Sequence, residues 1–441
     1  MALADDLQLS VIPLKTETQH VLVPATLGIL VNKNDPKSLK LAQHYASMRR
    51  IPASNIVSLD LPLTNDVSKY VMSRALTVLQ QNPNYSNFVG FALAFQKPFR
   101  VAGNQSITSA VSDGVSNIIW KGSCNPTLKN PDFSGSVLGK YISPLTRKPA
   151  MMLIGGATYD DSYKLLERGL AADNSDPTGQ VYLIKTTDAA RSSPREFYME
   201  LAKRLFERKI SITIEKNNNF ANKNDVFVFQ TGLAKLPSLN TLNFMPGAYA
   251  DHLTSTGGFL FGANAQTPAT ELMQAGATAS FGTVREPCNF TQKFPNPAFT
   301  LNRYLRGDSL LEAYWRGLQW TTEGVLVGEP LARPFPIVKA VWDGNTVTFT
   351  ANRRTAQYFR SEYNPVFKVT TQNLRVYQVQ SGHPVALGIL FLPAGARIVA
   401  GRVLGTMKLV QTNAVTGGTS DGAVTTTLNP VLGVFAGDSN Y

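Results

Sequence analysis

The sequence predicts an α/β protein built on a wound, mostly parallel sheet, followed by an all-β, sandwich-like C-terminal domain. Three observations carry the α/β-then-β expectation. Between residues 26 and 335, short continuous apolar runs alternate with segments of helical spacing, and continuous runs are how strands buried on both faces read. After Pro336, helical spacing gives way to short strands and turn residues. Between the two lies Gly328-Glu-Pro-Leu-Ala-Arg-Pro-Phe335, a block of helix breakers that reads as a boundary. The expected organisation is an N-terminal extension over 1–25, an α/β domain over 26–335 and a β domain over 336–441.

Residues 1–20 read as irregular. Thr26-Leu-Gly-Ile-Leu-Val31 is the first buried strand, and Asp35-Pro36 opens a helix with Leu39, Ala42, Tyr45, Ala46 and Met48 at helical spacing. Ile51-Pro52 ends it, and Ile56–Leu61 completes a βαβ unit. No glycine-rich loop joins that strand to its helix, so no nucleotide fingerprint is present. A helix over Val67–Leu79 and a strand over Phe88–Phe95 follow. Residues 102–148 are a Ser-, Asn-, Gly- and Pro-rich excursion with a short helix near Ser106–Val111. The pattern then predicts strands at Pro149–Ile154, Val181–Lys185, Ile210–Ile214, Asp225–Phe229, Leu242–Tyr249 and Ala277–Val284. Helices are predicted at Tyr159–Ala172, Pro194–Arg208, Thr267–Ala275, Pro297–Tyr304 and Leu310–Trp315. In the C-terminal region, Ala340–Phe349 is a hairpin turning at Asp343-Gly-Asn. Further strands fall at Val366–Thr370, Arg375–Gln380, Ala386–Leu392, Arg397–Leu404 and Met407–Gln411.

Composition narrows the function. The chain has 441 residues, 43 % hydrophobic and 16 % charged, with a net charge of +12. That balance favours an anionic polymer or surface as neighbour. The basic residues are scattered, however, and no zinc-finger spacing or helix striped with Arg and aromatics accompanies them, so no specific nucleic-acid contact is expected. No run approaches the ~18 apolar residues of a transmembrane segment. No cofactor or metal motif is read. Met1-Ala-Leu-Ala-Asp5 contains Ala-x-Ala, the small-residue pattern of a signal-peptidase cut, and a natural N-terminus reads the same way. The two cysteines, Cys124 and Cys288, sit in loop-like flanks. A long-range disulfide between them and two free thiols are the alternatives.

The chemistry-bearing residues gather between Phe244 and Asn289. Asp251, His252 and Ser255 follow one apolar strand, and Glu286 and Cys288 follow the next. Ligands of open α/β sheets sit at such strand ends. Ser255 or Cys288 as nucleophile, His252 as base and Asp251 or Glu286 as orienter would make a hydrolytic centre. The structural alternative makes Asp251 a turn cap, His252 a hydrogen-bonded structural residue and Cys288 a buried or disulfide-linked one. Neighbouring residues on a strand face opposite ways, so Asp251 and His252 cooperate only if a turn separates them. Asp188, Arg191 and Arg195 follow another strand end and read as a salt-bridged loop.

Several segments resemble a family of uncharacterised exported bacterial proteins: LVNKNDPKSLKLAQHYASMRRIPASNIVSLDLP, QSITSA, ERGLAADNSDPTGQVYLIKTTDAARS, PGAYADHLTSTGG, QAGATASFGTVREPCNFTQKFPNP, YLRGDSLLEAYWRGLQW and VGEPLARPF. The resemblance spans roughly Thr26 to Phe335 and implies export to the periplasm, the cell surface or the outside. More distantly, the layout is similar to the gingipain and caspase-like cysteine peptidases, in which a His-Gly follows one strand and a nucleophilic Cys ends the next. Here the first place reads Gln230-Thr231-Gly232-Leu233, without His, and the second ends in Asp251-His252, without Cys. The resemblance therefore implies a caspase-like fold and not the peptidase mechanism. Two functions are expected from this. One is an exported protein that acts by binding, or by self-association through strand edges of the β domain. The other is a hydrolase with a rearranged Ser/Cys-His centre.

Overall fold

A computed structural model describes residues 7–11, 22–115, 125–133, 149–262, 264–335, 338–342, 347–351, 374–376 and 407–411. Ten strands form the central sheet. In chain order they are β1 (Leu27–Asn32), β2 (Ile56–Leu59), β3 (Gly90–Leu93), β4 (Ala150–Leu153), β5 (Gln180–Lys185), β6 (Ile212–Lys216), β7 (Lys223–Thr231), β8 (Leu242–His252), β9 (Ala279–Thr283) and β10 (Gly324–Gly328). The helices are α1 (Pro36–Arg49), α2 (Lys69–Gln80), α3 (Ile107–Asp113), α4 (Tyr159–Ala172), α5 (Ala189–Phe206), α6 (Ala269–Gln274), α7 (Pro297–Leu305) and α8 (Leu310–Gly317).

Across the sheet the order is β6-β5-β7-β8-β9-β10-β4-β3-β1-β2. Every neighbouring pair is parallel except β9 and β10, which run antiparallel from Ala279↔Gly328 to Thr283↔Gly324. The sheet is thus two parallel blocks of opposite sense joined at that seam. Each block has the same internal plan. The chain lays down two adjacent strands, then crosses to the other side of the first: β2-β1-β3-β4 in one block, β6-β5-β7-β8-β9 in the other. Each crossing point is a place where successive connections diverge and open a crevice beyond the strand tips.

Local chemistry explains the element boundaries. Asp35 caps α1 by accepting from the Lys37 N–H, Pro36 takes the first helical position, and Arg50 ends the helix in the left-handed region at φ 55°. Thr158 with Asp161, and Ser309 with Glu312, form reciprocal capping boxes at α4 and α8. The strands β1, β3, β4, β9 and β10 are buried along their whole lengths, as continuous apolar runs require. Buried ion pairs tie the layers together. Glu329, just past β10, accepts from Tyr45 and Arg49 of α1, and Arg49 also reaches Asp173 at the end of α4. Lys293 and Glu323 pair at 2.6 Å with neither side chain exposed.

Four expectations change. The helix read from Pro194 begins at Ala189, because the Asp188 carboxylate caps it by accepting from the Arg191 N–H; Pro194 lies inside it. Strand β8 runs on to His252 rather than stopping at Tyr249. The short run at Gly324–Gly328, to which the sequence reading assigns no element, is the strand that joins the two blocks. Leu7–Val11, read as irregular, pairs antiparallel with Met407–Gln411. Of the C-terminal region, Val338–Trp342, Val347–Ala351 and Leu374–Val376 form a three-stranded antiparallel sheet. The Asp343 turn and the remaining strands of the expected sandwich lie outside the described residues.

Candidate functional site

Because β8 extends through His252, Asp251 and His252 are consecutive strand residues with no turn between them, and their side chains enter opposite layers. Asp251 is wholly buried. Its Oδ2 accepts from Gln230 Nε2 on the neighbouring strand β7 at 3.1 Å, and its Oδ1 accepts from the Tyr314 hydroxyl of α8 at 3.0 Å. Burial lifts its pKa to about 6, against the opposing pull of Arg195 and the two hydrogen bonds. Arg195 of α5 is 1 % exposed and donates through Nη2 to the Pro295 carbonyl, while Nε and Nη1 have no hydrogen-bond partner among the described residues. The Tyr249 hydroxyl and Gln230 Oε1 are likewise buried without a hydrogen bond among those residues.

On the other side, both ring nitrogens of His252 face backbone carbonyls. Nδ1 lies 2.7 Å from the Leu233 carbonyl oxygen and Nε2 lies 2.8 Å from that of Thr267. Burial lowers its pKa to about 4, helped by Arg195 and Arg191, and the two carbonyl oxygens, which favour the charged ring, only partly counter this. In the neutral ring one nitrogen donates to its carbonyl and the other only faces one, so both nitrogens are turned toward backbone and away from any hydroxyl or thiol.

An open cleft lies beyond the tips of β8 and β9. It has a volume of about 160 Å³ and is walled by Ala190 and Arg191 of α5, by Leu253, Thr254 and Ser255 after β8, and by Glu286, Pro287 and Asn289 after β9. Thr283 fastens these tips together, its hydroxyl donating to the Thr254 and Ser255 carbonyls. Below it, backbone meets backbone. A Cβ on Gly282 would fall 2.1 Å from the Gly257 carbonyl carbon, so the Gly257-Gly258 turn packs onto β9 only because all three residues lack side chains. Arg191 spans the wall through an ion pair with Asp188 at 2.7 Å and a hydrogen bond from Nε to Thr254 Oγ1 at 3.3 Å. Glu286 is exposed and its Oε1 accepts the Cys288 N–H at 2.8 Å. Cys288 and Asn289 both adopt left-handed backbone, φ 55° and 53°, a conformation that costs a non-glycine residue roughly 1–2 kcal/mol.

The structure therefore brings Ser255 and Glu286 to one cleft. Asp251 and His252 lie buried behind it in separate layers, and Cys288 does not line it. Cys124 lies outside the described residues. Arg191, Thr254 and Asn289 belong to the cleft although no sequence motif marks them as site residues. The available clue for Arg191 is its spacing of three from Asp188, which gains meaning once Asp188 is seen as a helix cap. Arg195 is buried in α5 rather than placed in a loop. Among the described residues, no three His, Cys, Asp or Glu side chains group as a metal site, and no helix is long and apolar enough to cross a membrane.

No family model matches the chain, and no curated protein matches it. One solved structure, "Structure of Protease", is similar over 75 % of this chain and 85 % of its own, at 10 % identity and a TM-score of 0.38. A likeness that loose carries no argument about this chain.

Proposed function

We propose that the protein is an exported, non-catalytic binding protein of caspase-like architecture that takes its ligand in the cleft beyond β8 and β9. The observation that carries this reading is that both His252 ring nitrogens are turned toward backbone carbonyls. A general base needs a lone pair within reach of the proton it removes, and the buried imidazole is turned toward Leu233 and Thr267 instead. Asp251, in the opposite layer, cannot orient it. Ser255 and Glu286 share the cleft, which keeps a hydrolase with a rearranged centre as the competing reading.

Treatment with Ser- and Cys-directed activity probes, followed by adduct mapping, separates the two. The binding reading expects no adduct at Ser255 or Cys288. An adduct at either residue that disappears in His252→Ala overturns it in favour of the hydrolase. Export rests on the family resemblance, and a Cys124–Cys288 disulfide is the covalent feature an exported chain would carry. Non-reducing peptide mapping is expected to link Cys124 to Cys288, and two alkylatable thiols in native protein would exclude the bond. Self-association through the C-terminal strands is a further part of the proposal, and growth of light scattering with concentration tests it.

A further inference from the structure

The cleft has a polarity that specifies a ligand. Its two charged walls face it from different elements, Arg191 from α5 and Glu286 from the turn after β9. Arg191 is already neutralised by Asp188, using Nη1 there and Nε on Thr254, which leaves Nη2. Glu286 uses Oε1 on the Cys288 N–H, which fixes the carboxylate, and leaves Oε2 with no cation beside it among the described residues. The excess charge of the lining is therefore negative on the β9 side, in a chain that is basic as a whole. A simple anion is disfavoured by that carboxylate. Leu253 and Pro287, both buried, supply apolar wall to the cleft, and its roughly 160 Å³ suits a small head group rather than a whole large ligand.

Resting on the binding reading above, we propose that this cleft takes an ammonium adjacent to a carbonyl: the head group of a free amino acid or of a peptide N-terminus. The ammonium sits on Glu286 Oε2, the neighbouring carbonyl or carboxylate oxygen accepts from Arg191 Nη2, and Ser255 and Asn289 serve the remaining polar atoms. Charge-assisted hydrogen bonds of this kind account for most of the selectivity such a site can show.

Titration calorimetry on the full chain tests it with three probes: the tripeptide Leu-Gly-Gly, its N-acetylated form, and free leucine. The free-amine tripeptide is expected to bind at least roughly tenfold more tightly than the acetylated one, as loss of a charge-assisted contact implies. Glu286→Gln should remove most of that difference while leaving the melting temperature unchanged, since Glu286 is exposed in a turn. Binding should also weaken above about pH 8, where an α-amino group loses its proton. Leucine binding as tightly as the tripeptide assigns the site to free amino acids, and binding of the tripeptide alone assigns it to peptide N-termini. Equal binding of the free and acetylated peptides, an unchanged preference in Glu286→Gln, or no heat with any probe at millimolar concentration would overturn the proposal. These outcomes are independent of probe labelling at Ser255 or Cys288, so the ligand class and the non-catalytic reading fail separately.

Discussion

Two consecutive buried residues with pKa values displaced in opposite directions make a specific statement about stability and pH. His252 titrates near 4 in the folded chain, below its ordinary 6.5, and Asp251 titrates near 6, above its ordinary 3.8. Between pH 4 and 6.5 the unfolded chain holds the extra proton on His252, so acidification through that range removes stability. At Asp251 the folded chain holds the extra proton, so the stability this residue contributes is full below 3.8 and lost as pH rises through 6. Each displacement corresponds to about 3 kcal/mol, and the two act in opposite directions over nearly the same window. They cancel in the native protein and are uncovered by removing either one. Relative to the wild-type curve, Asp251→Asn should lose about 2–3 kcal/mol between pH 7 and pH 4, and His252→Gln should gain a similar amount. His252→Gln serves as the second, independent measurement. Urea unfolding at pH 4, 5, 6 and 7 reads both slopes. Curves parallel to wild type within about 0.5 kcal/mol would refute the reasoning. So would a His252→Gln curve that falls on acidification, because it would mean that the Leu233 and Thr267 carbonyls outweigh burial and keep the ring charged.

Three further outcomes are expected. Glu329→Ala leaves Arg49 buried without its main partner and should cost roughly 3–5 kcal/mol by urea unfolding, and a loss under about 1 kcal/mol would show that Asp173 alone suffices. Gly282→Ala drives a methyl group into the backbone of Gly257 and Gly258, so a loss of more than about 3 kcal/mol or insoluble protein is expected, and a wild-type melting temperature would contradict the packing. Thr231→Val removes the hydroxyl of a residue that is 1 % exposed, where that group has no hydrogen bond among the described residues. It should leave the urea midpoint unchanged or raise stability by about 1–2 kcal/mol. A clear fall would mean that the hydroxyl has a partner.

The fold was legible wherever one periodicity dominated a segment. Tyr159–Ala172 is a helix with the predicted bounds, and the Thr158–Asp161 capping box fixes its start. The α/β class, too, followed from buried runs such as Leu27–Asn32. What stayed hidden was set by tertiary contacts. Gly324–Gly328 is five residues with no flanking turn chemistry beyond glycine, and its direction depends on α7 and α8 returning the chain to the far side of β9. Pro194 reads as a helix start because proline is favoured in the first turn. Asp188, however, caps the chain directly before Ala189, so the helix is already running when it reaches Pro194.

The site was legible as a place and not as a set of roles, and the sheet plan gives the reason. Both blocks have a crossing point where a crevice is expected, between β1 and β3 in one and between β5 and β7 in the other. In the first block, Asn32 at the tip of β1 donates to the Pro62 and Lys97 carbonyls, and Tyr159 donates to Asp35 across the same end, so loops bind one another there. In the second block, Gly232 lies against the Arg191 backbone, which brings the start of α5 beside the tips of β7 and β8. The loops after β8 and β9 then stand apart from α5 and leave the cleft open. Sequence placed Ser255 and Glu286 at strand tips, which sufficed to bring them to that cleft. It could not place Asp251 and His252, because the stretch by which β8 outruns its apolar pattern, from Tyr249 to His252, decides which layer each side chain enters. A strand that runs on through His252 thus turns a sequence that reads as an acid beside a base into two separate structural anchors. The side chains left to face the cleft come from α5, the loop after β8 and the β9 turn.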